Sequence, residues 1–157
     1  MSEVKLAGFK FRLQTFLNLK ERLEKNARNE LGMAIKKLEE EKEKLRAIEA
    51  NIDHTMEEFR RACQGIIDRE KIKEINAFLD YLQAEKEKQE VNVKRQQEIV
   101  DKIREKLVEI MKERKVLENL REKDYQEYLK EEEKKERLQV DELVSYNESI
   151  KPPPSAR

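Results

Sequence analysis

His54 and Cys63 are the side chains with the most versatile chemistry here, one a proton carrier or metal ligand and the other a nucleophile. They are the single histidine and single cysteine of 157 residues. With no further residue of either kind, they fall short of the three or four ligands that a zinc site needs. A lone thiol also excludes an internal disulfide and suits a reducing compartment. Carboxylates are abundant, most densely at Glu39-Glu40-Glu41 and Glu131-Glu132-Glu133. Lysines at helical spacing, Lys37 and Lys44 among them, make such clusters solvated helix faces. No glycine-rich phosphate cradle is present in a chain with three glycines. The residues therefore predict no catalytic group, no metal, no cofactor and no enzyme.

What remains is chemistry of contact. Phe78 and Tyr81 are aromatic residues placed beside a periodic apolar stripe, where they either flank the seam as packing bulk or form an exposed aromatic spot, and aromatic side chains are favoured anchors in protein interfaces. Charge is also divided at the two ends of the chain. From Val4 to Lys20 the charged residues are Lys5, Lys10, Arg12 and Lys20, with no acid, whereas Arg121 to Glu142 holds six basic and nine acidic residues. These stretches either neutralise each other or form an end suited to a charged protein socket.

The elements that position these residues follow from composition and period. Charged residues make up 45% of the chain and apolar residues 37%, too little apolar material for a globular core. The three prolines are consecutive, Pro152 to Pro154, so no obligatory helix breaker precedes them. Basic and acidic residues balance at 35 each, without the basic excess of a nucleic-acid binder. No apolar run approaches the roughly 20 residues needed to cross a bilayer, and no signal-peptide core opens the chain.

Apolar residues recur at Leu13, Phe16, Leu23, Ala27, Leu31, Ala34, Leu38, Leu45, Ile48, Ile52 and Phe59. From Ala27 onward the steps alternate four and three, a coiled-coil seam with Glu41 and Thr55 as polar members. The steps 23, 27, 31 predict a local stutter. A second frame runs from Ile72 to Leu117, apolar at ten of its fourteen positions and polar at Lys86, Gln89, Gln96 and Arg114. Between the frames, Gly65 is suited to ending one helix and Asp68 to capping the next.

The predicted fold is all-α: two long helices forming an antiparallel coiled-coil hairpin, monomeric in isolation. Residues 1–147 form the single hairpin, with helix one over about 9–63, a turn at 64–68 and helix two over about 69–147. Residues 148–157 are the expected disordered, Pro-rich tail. Helix one would be about 80 Å long and helix two about 115 Å, so the second overhangs the first. A fold-back centred near residue 66 sets residue i opposite roughly residue 132 − i, which brings Glu41 near Lys86 and Gln89 in a polar layer.

The opening Phe9-Lys10-Phe11-Arg12-Leu13-Gln14, with Leu17-Asn18-Leu19-Lys20-Glu21 and Ala27-Arg28-Asn29-Glu30-Leu31, resembles the start of the flagellar FliJ family. Phe78-Leu79-Asp80-Tyr81-Leu82, Gln89 and Asp141-Glu142-Leu143 also fit its pattern. The resemblance implies a non-enzymatic, stalk-like coupling factor of bacterial flagellar type III protein export, serving motility. Its partners would be the hexameric export ATPase, the cytoplasmic domain of the membrane export gate, and export chaperones. It would be cytoplasmic and peripheral at the cytoplasmic face of the cell membrane, without direct membrane insertion and without nucleic acid. The family's ATPase-binding end corresponds here to Phe9, Phe11, Leu13, Tyr128, Leu138 and Leu143. Its gate-binding surface maps to Phe78, Leu82 and Gln89, with Tyr81 beside them. On helix one, where enterobacterial members carry tyrosines, this chain has Ile48, Asn51 and Thr55. The seam position of Leu82 makes Phe78 the residue for direct contact. Other readings of the same architecture are the stalk of a virulence secretion system, a homodimeric scaffold, and a prefoldin-like chaperone, for which residues 65–68 leave no β-hairpin.

Overall fold

A computed structural model describes residues 8–152 of the chain. Lys5 of the N-terminal basic stretch and residues 153–157 of the expected tail lie outside the described residues. The chain forms two long helices packed against each other, α1 (Gln14–Ala62) and α2 (Arg69–Ile150), with no strand among the described residues. Residues 8–13, expected mostly within helix one, are instead turns and irregular backbone leading into α1. The far helix end lies at Ile150, inside the stretch expected as tail.

The turn follows from two residues. Gly65 adopts φ 79°, the left-handed conformation that only glycine takes without strain. Asp68 caps α2: its Oδ1 accepts hydrogen bonds from the backbone N–H groups of Glu70 (3.1 Å) and Lys71 (3.5 Å).

The chain divides into two compact units, one comprising Leu23–Ile110 and the other the flanking stretches through Arg22 and from Met111. In the first, the core is built by Ala34, Leu38 and Val100, with Leu31, Val93 and Ile103 packed around them. Antiparallel register is fixed by two buried glutamines one heptad apart. Gln89 Nε2 donates to the Glu41 carbonyl (2.9 Å) and also to the Glu41 carboxylate. Gln96 Nε2 donates to the Ala34 carbonyl (3.0 Å). The polar layer at Glu41 and Gln89 thus exists, in a register slightly offset from the expected one. Lys86 does not join it; its ammonium lies 3.9 Å from Glu90 on its own helix.

The expected stutter in helix one does not occur. Covered positions of α1 run Leu17, Lys20, Glu24, Ala27, Leu31, Ala34, Leu38, Glu41, Leu45, Ile48, Ile52, Thr55 and Phe59, in unbroken steps of three and four. Phe16 and Leu23, read as seam members, are exposed at 57% and 36%, while Leu17 and Glu24 are buried. The seam there is partly polar, so a frame counted on apolar residues slipped by one. Glu24 keeps its charge satisfied by Arg28, whose Nη2 is 2.8 Å away. The irregularity falls in α2 instead, where Leu117, Arg121 and Tyr125 are covered at successive steps of four.

Candidate functional site

Among the described residues no group of three His, Cys, Asp or Glu side chains could hold a metal. His54 is exposed with Nε2 3.1 Å from a Glu58 carboxylate oxygen on the next turn. Cys63 is a free, exposed thiol at the end of α1. Among the described residues no helix is long and apolar enough to cross a membrane.

The first surface lies in the Leu23–Ile110 unit. Phe78 and Tyr81 sit one helical turn apart on α2 and stack, with ring centroids 6.2 Å apart and planes 22° from parallel. Both face solvent, at 44% and 58% exposure. Leu82 is buried in the seam, so its side chain anchors the helix under the aromatic pair and presents almost no surface. Gln89 is also buried, committed to Glu41. Ile48 is half-buried in the α1 seam, and Thr55 is buried with its hydroxyl donating to the Asn51 carbonyl (2.7 Å). Of the residues matched to a gate-binding surface, only Phe78 and Tyr81 offer large exposed apolar area.

The second surface lies in the other unit. Phe9 packs against Tyr125 (centroids 5.3 Å, edge-on) and Tyr128 (5.5 Å, tilted). Gly8 closely approaches the Tyr128 hydroxyl, and a Cβ there would collide with it. Phe11 is buried and Leu13 half-buried. This aromatic group ties the irregular N-terminal stretch to α2. Leu138 and Leu143 do not belong to it: Leu138 is ten residues, roughly 15 Å, beyond Tyr128 along the helix. From Glu133 to Ile150 every residue of α2 is exposed, including Leu138, Val140, Leu143, Val144 and Tyr146. The six residues grouped by resemblance therefore separate into a packed cluster and an uncovered helix end.

Sequence reasoning missed two features. Tyr125 was visible as an aromatic, but its pairing with Phe9 depends on the step of four that follows Arg121, which no apolar residue marks. Phe16, Leu19, Val116 and Leu120 are all exposed apolar residues of this same unit; the hidden Glu24 frame is the signal that would have turned Phe16 outward. Charge across the unit is partly matched, with Lys20 ion-paired to Glu113.

Comparison with known proteins adds one match. A family model described as "Flagellar FliJ protein" aligns with residues 9–149. No curated protein and no solved structure matches the chain.

Proposed function

The chain belongs to the flagellar FliJ family, which places it with the proteins of flagellar export, and on that premise we propose that it is a non-enzymatic coupling factor with two binding surfaces. The stacked Phe78–Tyr81 pair meets the cytoplasmic domain of the membrane export gate. The unit bearing both chain ends engages the export ATPase, with Leu138 and Leu143 as contact residues and the Phe9–Tyr125–Tyr128 cluster holding the N-terminal stretch in place. Export chaperones share these exposed apolar surfaces. The protein acts as a monomer at the cytoplasmic face of the cell membrane, held there by its partners.

The observation that carries this reading is the exposed aromatic pair above a buried Leu82. Folding gains little from two large rings left half in water, whereas an interface gains much. The reading is tested with Phe78→Ala in titration calorimetry against the gate's cytoplasmic domain. A hot-spot truncation weakens binding by about tenfold or more, while far-UV circular dichroism stays as in the parent. Equal affinity of mutant and parent removes the pair from the gate contact.

A further inference from the structure

The apex of the hairpin is composed against the needs of its own fold. Turns ordinarily take Gly, Pro, Asn, Asp or Ser, yet after Gly65 come two adjacent isoleucines. Ile66 is fully exposed and Ile67 is 57% exposed, so neither contributes to the seam. The charges around them are as unexpected. From Arg60 to Lys73, five residues are basic and two acidic. Arg60 has Glu57 at 3.2 Å and Lys73 has Glu70 at 4.0 Å. Arg61, Arg69 and Lys71 pair with no carboxylate among the described residues. Arg69 and Lys71 moreover occupy the first turn of α2, where the positive end of the helix dipole disfavours cations.

Two independent features thus oppose local stability, and they share one complement: an apolar layer beneath an anionic surface. We propose that this apex is a peripheral contact for anionic lipid bilayers. Ile66 and Ile67 enter the boundary between headgroups and acyl chains, and Arg61, Arg69 and Lys71 lie against the headgroup phosphates. Exposed apolar side chains in the turn, flanked in sequence by exposed cations on both helices, match such a surface. No helix enters the bilayer, and the contact uses none of the residues assigned above to the gate and the ATPase.

The test is co-flotation of the full chain with vesicles of phosphatidylcholine alone or of equal parts phosphatidylcholine and phosphatidylglycerol. A basic residue at an anionic surface is worth roughly fivefold in binding, so the net excess of three predicts about a hundredfold preference for the anionic vesicles. Ile66→Ser/Ile67→Ser weakens flotation by roughly tenfold or more, and Arg61→Gln/Arg69→Gln/Lys71→Gln abolishes the preference for anionic lipid. All these side chains are exposed, so circular dichroism should report parental helicity for both variants. The proposal is overturned if the parent floats with neither vesicle, or if the serine variant floats as the parent does. Should the serine variant instead lose affinity for the gate domain while the parent ignores both vesicles, the apex is a protein contact and the lipid assignment fails.

Discussion

Replacing both register glutamines by leucine, Gln89→Leu/Gln96→Leu, is predicted to make the protein more stable and less specific. Each glutamine is buried and donates one amide hydrogen bond to a carbonyl of α1. Those carbonyls, of Glu41 and Ala34, keep their intrahelical partners if the amide leaves, so no acceptor is orphaned. What is lost is a hydrogen bond of about 1 kcal/mol net. A buried leucine contributes about 2 kcal/mol, leaving a gain of roughly 1 kcal/mol at position 96. At position 89 the gain is smaller, because the half-buried Glu41 carboxylate also loses one of its donors and keeps only Lys44. Together they should raise the midpoint of thermal unfolding by about 4 °C, at roughly 2–4 °C per kcal/mol for a chain of this size. Specificity is lost because a seam without its two buried amides tolerates a slip by one heptad more readily, whereas the parent would then strand those amides away from their carbonyls. Spin labels at exposed Lys36 and Arg95, on a Cys63→Ser background, report this directly. The parent should give one distance, and the double variant a second population displaced by about 10 Å, one heptad of helix rise. A lowered midpoint together with a single parental distance would refute the reasoning on both counts.

Two further outcomes follow from the same seam. Val100 is 1% exposed and central to the Ala34–Leu38 cluster, so Val100→Ala should destabilise by about 2 kcal/mol in urea unfolding through a cavity that neighbouring helices cannot close. The Glu41 carboxyl is held below its ordinary value of 4.5, chiefly by the Gln89 hydrogen bond, which outweighs the opposing effect of desolvation, with further lowering from Lys44 and Lys37. A carboxyl lowered in the folded state adds stability above its unfolded value and loses it as pH falls through the folded one, so the stability difference between parent and Glu41→Gln should shrink on acidification below about 4.5, as read from denaturation midpoints across pH.

The helices and their pairing were legible because apolar residues repeat at a coiled-coil period over most of the chain and because Gly65 and Asp68 are turn chemistry in its usual place. The frame failed only where polar residues enter the seam. Lys20 and Glu24 carry no apolar signal, and their burial depends on aliphatic stems and on Arg28, which are properties of the packed state. Counting apolar residues then selected Phe16 and Leu23, one position away from the true line. Phe78 and Tyr81 could be placed off the seam by period alone, but their stacking could not, since it depends on rotamers. The position of Phe9 on Tyr125 was equally hidden, because the stretch before Gln14 has no period to follow.

The uncovered segment of α2 from Glu133 to Ile150 has a thermodynamic consequence. An isolated helix of this length is marginal in water, chiefly because its first turn is costly to form. Here that first turn already exists upstream, where Tyr125 and Tyr128 are fastened by Phe9, so the remainder needs only propagation. A partner seating Leu138 and Leu143 would therefore meet a pre-wound segment and forfeit far less ordering entropy than one that must fold a tail from coil.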